Sequence, residues 1–160
     1  MSPTSMRGIT RPFLLAFVTF MAAILFCALD ARAQGGSDKK ADKPLYVEYK
    51  GVQIGMSADD VHKKLGSPKE KAETQDFYMF SEKESAQVFY DDGKVKAVTV
   101  NYLGMKDAPT PKLVFGMDVE AKADGGIFKK IPYPEAGYFV SYARSGGDDP
   151  LVTVTMQKIQ

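Results

Sequence analysis

The chain has 160 residues, with 21 basic and 20 acidic side chains and a net charge of +1. That near-neutral balance removes the electrostatic case for nucleic acid or an anionic membrane surface as a partner. The length allows one domain with an ordinary core. Tyr and Phe are frequent and Trp is absent, so those two aromatics supply much of the buried area.

Residues 1–33 read as a secretory signal peptide. Arg7 and Arg11 form a positive start, and an apolar run covers residues 13–29. Ala31-Arg32-Ala33 then has the small-x-small form that signal peptidase cuts before Gln34. The run, about 17 residues, sits near the lower limit for spanning a bilayer. Gly35-Gly36-Ser37 directly after it favours cleavage over anchoring. Cys27 does not read as a lipid attachment site, because bulky Phe26 precedes it where a small residue is required. Removing 33 of the 160 residues leaves 127, with no cysteine. Disulfides, thiol catalysis and cysteine metal sites then fall away. The removed segment holds three Arg and one Asp, so 18 basic and 19 acidic side chains remain. The expected location is the periplasm or the exterior, with no stable membrane insertion once the signal is gone.

Residues 34–43 have too little apolar surface to fold and form a flexible leader. The ordered domain is expected over 44–160. Leu45, Val47 and Tyr49 alternate with Tyr46, Glu48 and Lys50, which predicts a short extended segment. Ser57 opens the clearest helix. Its hydroxyl can cap the first turn, with Asp60 three residues on as in a capping box. Asp59 and Asp60 suit the positive end of the helix dipole, and Lys63 and Lys64 the negative end. Ala58, Val61 and Leu65 share a face. Gly66 is expected to take a left-handed cap, and Pro68 stops the helix.

Strands follow over 77–80, 87–90 and 95–102, the last two joined by Asp91-Asp92-Gly93-Lys94, a strong hairpin signal. A Gly- and Pro-rich loop covers 104–111. Leu113-Val114-Phe115-Gly116-Met117-Asp118 then echoes Val52-Gln53-Ile54-Gly55-Met56-Ser57. Asp118 is expected to cap a second helix that Asp124-Gly125-Gly126 ends within two turns. A strand is expected over 127–131 before Pro132. Two more, over 138–144 and 151–158, flank a loop of Ser, Gly, Asp and Pro. Val152-Thr153-Val154 repeats Val98-Thr99-Val100. These echoes suggest two degenerate repeats, over 44–103 and 112–160; the rival reading is coincidence, because Gly-Met is a short match and Val-Thr-Val is ordinary strand composition.

Gly55-Met56-Ser57-x-x-Asp60-Val61-x-x-x-Leu65-Gly66-x-Pro68, an aromatic strand, and Val88-Phe89-Tyr90-x-x-Gly93-Lys94-Val95 come in that order. This pattern resembles the SmpA/OmlA (BamE-like) domain family of small outer-membrane assembly lipoproteins. Related tandem domains occur in β-lactamase inhibitor protein. The resemblance covers residues 52–102 and, more loosely, 113–158. It implies an α+β fold with a helix layer packed on an antiparallel β-meander, formed once or twice. It also implies a non-enzymatic role through contact with other proteins of the cell envelope. The family's lipid-anchoring cysteine has no counterpart here. Outer-membrane attachment and a part in barrel assembly are therefore in doubt.

The residues offer little chemistry. His62 is the sole histidine. Beside Lys63 and Lys64 it reads as a solvated helix residue, with no second His or Cys to complete a zinc site. Asp91-Asp92 and Asp148-Asp149 lie in expected hairpin loops, where Asp bonds its own backbone. Neither pair has calcium-loop spacing. Gly125-Gly126 and Gly146-Gly147 lack the Lys-Ser or Lys-Thr of a phosphate loop. No catalytic residue, cofactor or metal is assigned.

The aromatic stretch 133–144 is the best candidate for a contact surface. Tyr133, Tyr138, Tyr142 and Arg144 are its anchors, since Tyr and Arg are typical of interfaces. The competing reading is a core strand with amphipathic tyrosines. The expected function is an exported, non-catalytic interaction or assembly module with an envelope protein as partner. The alternative is an envelope protein that binds a small ligand or lipid in a groove lined by aromatics and methionines.

Overall fold

The computed structural model describes residues 43–159. The expected signal peptide and nearly all of the leader lie outside the described residues. In chain order the elements are α1 (Ala58–Leu65), β1 (Glu70–Lys71), β2 (Gln75–Met79), β3 (Glu84–Asp91), β4 (Lys94–Leu103), α2 (Pro111–Phe115), β5 (Ile127–Tyr133), β6 (Tyr138–Arg144) and β7 (Leu151–Lys158). A single 3-10 turn, Pro134–Ala136, joins β5 to β6. The seven strands form one antiparallel sheet in the order β1-β2-β3-β4-β7-β6-β5. This is an α+β fold dominated by its sheet. No described helix is long and apolar enough to cross a membrane.

α1 is followed by a meander of four strands, β1 to β4, and α2 by a meander of three, β5 to β7. The two meanders meet through their last strands, where Val100 pairs with Val154 and Thr99 with Thr155. The repeated Val-Thr-Val segments are thus neighbours at the centre of the sheet. β-Branched residues suit this place, since they pack well on a pleated surface.

α1 forms as its sequence dictates. Ser57 Oγ accepts the Asp60 N–H at 3.3 Å and donates to the Asp60 carboxylate at 2.7 Å. The Ser57 bond, then Lys63, holds the Asp60 carboxyl below its ordinary range. Gly66 ends the helix with φ 82°, but its ψ of −160° departs from the left-handed cap expected. The Gly66 N–H still bonds the His62 carbonyl at 2.9 Å.

The second helix departs from expectation. It lies before Gly116 rather than after Asp118. Thr110 caps it by accepting from the Leu113 N–H at 3.3 Å, and Pro111 occupies its first turn. Thr-Pro is a strong start signal, because proline needs no donor there and its φ is already helical. Gly116 is the C-cap, at φ 76°. Gly55, by contrast, precedes α1, so the two Gly-Met pairs occupy different places relative to their helices.

Three further differences have local causes. β5 runs through Pro132, which pairs in register with Phe139; an edge strand tolerates proline because its outer side needs no donor. Residues 44–50 make no strand, only a bridge between Tyr49 and Val52 around a turn with Lys50 at φ 47°. There Leu45 and Val47 are exposed, while Tyr46 and Tyr49 turn inward. β1 was not anticipated, having only two residues, both exposed.

The core lies on one face of the sheet. Val88, Val98, Val100, Val140, Val152, Val154 and Met156 line it, with Tyr78, Tyr90, Tyr102, Tyr133, Tyr138 and Tyr142. Val61 of α1 and Val114 and Phe115 of α2 close over them. Burial of this apolar area, at about 25 cal/mol per Å2, is the main force holding the helices on the sheet.

Candidate functional site

The strand register places three cross-strand rows on the face opposite the core. The first row is Gln75, Phe89, Ala97, Gln157, Phe139 and Pro132. The second is Phe77, Gln87, Thr99, Thr155, Ser141 and Lys130. The third is Met79, Ser85, Asn101, Thr153, Ala143 and Phe128. Leu103 and Leu151 pair at one end. All of these are exposed or half-buried except Ala97.

The composition of these rows is unusual for a surface. They hold no Asp or Glu and a single Lys, in a chain that is 26% charged. The middle is short and polar. Thr99 and Thr155 hydroxyls lie 3.1 Å apart, and Thr153 donates to Asn101 at 2.8 Å. These bonds lock small side chains flat across the central strands. Aromatic and apolar groups stand at the margins: Phe77, Phe89, Phe139, Phe128 at 64% exposure and Met79 at 50%. Lys130 sits over the Phe139 ring, 3.6 Å from its centroid. Such a cation–π contact orders both side chains. Loss of charge with retention of aromatics and Met is the compositional mark of an interface centre.

The four residues singled out from sequence lie elsewhere. Tyr133, Tyr138 and Tyr142 are buried on the core side, Tyr142 completely. Burial pushes all three hydroxyls above their ordinary pKa. Arg144 donates from Nε at 3.0 Å and from a terminal nitrogen at 2.6 Å to the Gly125 carbonyl. It closes the loop before β5. These placements answer to the core reading: the tyrosines hold the second meander together and offer a partner no surface. Strand parity is the reason, since Phe139 and Ser141 alternate with them and take the outer face. That alternation was the available signal. What it lacked was knowledge of which side the helices cover.

His62 is also placed differently from expectation. It is three-quarters buried, its Nε2 lying 2.7 Å from Asp76 Oδ2. Tyr90 donates its hydroxyl to the same oxygen at 2.7 Å. Asp76 is 1% exposed, the one buried acid among the described residues. The group joins α1, β2 and β3. It has a base and a carboxylate within reach of each other, yet nothing nucleophilic stands beside them among these contacts. Its evident effect is to tie the helix to the sheet. Among the described residues no three His, Cys, Asp or Glu side chains gather to hold a metal.

Hollows open on the surface of the described residues. One of about 340 Å3 is lined by Met105, Arg144, Ser145, Asp148 and Pro150. Compared with known proteins, the chain matches no family model, no curated protein and no solved structure.

Proposed function

We propose that the protein is an exported, non-catalytic contact module of the cell envelope, and that it docks a partner protein on the open face of its sheet. The observation that carries this reading is the composition of that face: three rows across six strands without an acid, with four phenylalanines at the margins. Exposed apolar area of this kind is costly in water unless a partner covers it. A flat platform of short hydroxyl and amide side chains lets a partner approach the backbone closely, and the marginal aromatics serve as anchors. The SmpA/OmlA resemblance, the tandem-repeat reading of the two meanders and the periplasmic location belong to the same proposal. A ligand-binding role draws less support, because the hollow of about 340 Å3 has Met105 but no aromatic side chain in its lining.

The test is a photo-crosslinking residue placed at Thr155, with Lys63 on the exposed helix as the control position. Adducts specific to Thr155, and lost when Ser141→Glu is added beside it, support the reading. Equal adducts from Lys63, or none from Thr155, sink it.

A further inference from the structure

One end of the sheet carries a concentration of lysines, at the margin where the open face meets the core side. Lys94 and Lys96 come from the start of β4, Lys158 ends β7, and Lys130 lies in β5. Two hollows share Lys158. The larger, about 330 Å3, is lined by Lys130, Pro132, Phe139, Gln157, Lys158 and Ile159. The other, about 190 Å3, includes Lys94, Lys96 and Lys158 with Asp91, the one acid in either lining. Among the described residues Lys94, Lys96, Lys130 and Lys158 take no part in the ion pairs Lys50–Glu84, His62–Asp76 and Lys63–Asp60. Lys130 is held instead by the Phe139 ring.

Four ammonium groups against two carboxylates, Asp91 in the lining and Asp60 near Lys94, leave this corner positive within a chain that is nearly neutral. Their mutual repulsion is relieved when an anion settles among them. We propose that this corner receives a carboxylate-rich segment of the partner protein, a proposal that rests on the contact-module reading above. An acidic polypeptide suits it better than an anionic bilayer. The chain as a whole has no strong field to hold it at a charged membrane. The lysines border concave hollows, continuous through Phe139 and Gln157 with the protein-docking rows. Charge complementarity at the end of such a face sets the orientation of the partner and its rate of encounter.

The experiment titrates the isotopically labelled protein, as recovered after export, with a hexaglutamate peptide and follows backbone amide shifts. Saturable shifts at Phe139, Gln157 and Lys158 are expected, weakened by salt. Combining Lys94→Gln, Lys96→Gln and Lys158→Gln should weaken binding by roughly tenfold or more. Lys83→Gln with Lys106→Gln should leave it unchanged. Absent shifts, shifts spread over unrelated lysines, or binding that survives the triple change would overturn the proposal. Binding of phosphatidylglycerol vesicles without binding of the peptide would overturn it in favour of lipid. The two proposals fail separately. Thr155 adducts that persist in the triple variant remove the lysine site alone. Peptide binding at the corner without a Thr155 adduct removes the contact-module reading and leaves the lysine site standing.

Discussion

His62 Nε2 lies 2.7 Å from Asp76 Oδ2, and Tyr90 donates to that same oxygen, so one buried carboxylate fastens α1 to two strands. A hydrogen bond to a charged group contributes about 1.5–3 kcal/mol, and losing either one leaves the buried Asp76 Oδ2 with a single partner. His62→Ala and Tyr90→Phe should each destabilise by about that amount. The double variant should cost less or more than the sum, because both groups hold one atom. Urea denaturation of the four-member cycle measures this. Two single changes of negligible and additive effect would show that the contact ties nothing.

Several core tyrosines make the protein sensitive to alkali. Burial, reinforced by Asp76, pushes the Tyr78 hydroxyl up to about 12. Burial, reinforced by Glu84, does the same for Tyr102. Tyr49 and Tyr90 are raised further, each by burial and then by a bond to a carboxylate, from Glu84 and Asp76 respectively. A tyrosine raised in the folded state favours folding below its unfolded value, about 10. That contribution is lost as pH climbs through the folded values. The urea midpoint should therefore hold steady through neutrality and fall above about pH 10. Tyrosinate absorbance should rise together with unfolding. Full ionisation near the unperturbed value with the fold intact would contradict this.

The two faces of the sheet should respond oppositely to substitution. Tyr142 is fully buried, and its hydroxyl meets no hydrogen-bond partner among the described residues. Tyr142→Ala should cost about 3–5 kcal/mol through the cavity it opens. Tyr142→Phe should be neutral or stabilising, since it removes an unmet polar group. Gln87→Glu on the open face should change stability by no more than about 0.5 kcal/mol while abolishing partner capture. Thermal melts alongside crosslinking separate the two effects. A costly Tyr142→Phe would mean that its hydroxyl is bonded after all.

Gly146 is the tightest point of the loop between β6 and β7. A Cβ there would run into the Asp124 backbone carbonyl oxygen. Gly146→Ala should destabilise by about 1–3 kcal/mol as the two loops are forced apart. Gly126→Ala meets the more yielding Asp124 side chain at 3.0 Å, but that carboxylate accepts the Gly126 N–H at 2.9 Å, so some cost is expected there too. A melting series should rank Gly146→Ala as the more damaging. Equal tolerance at both sites would show that the loops are free to separate.

Local chemistry alone determined α1, the β3–β4 hairpin and strands β6 and β7. Ser57, Asp60, Gly66 and the Asp-Gly turn act over a few residues and need no distant partner. The start of α2 is local too, in Thr110-Pro111, whereas the Gly116-Met117 echo of Gly55-Met56 marks the end of that helix and not its start. Alternation in β6 correctly separated Tyr138, Val140 and Tyr142 from Phe139 and Ser141. It left undecided which set faces the helices, because period-two patterning carries no sign. Only the tertiary structure decided that, by closing Val61, Val114 and Phe115 over the tyrosine side. The same closure decided that the phenylalanines remain outside, that His62 meets Asp76 across 14 residues, and that β4 pairs with β7. Each of these joins residues through packing between segments far apart in the chain. No short-range propensity specifies such a meeting.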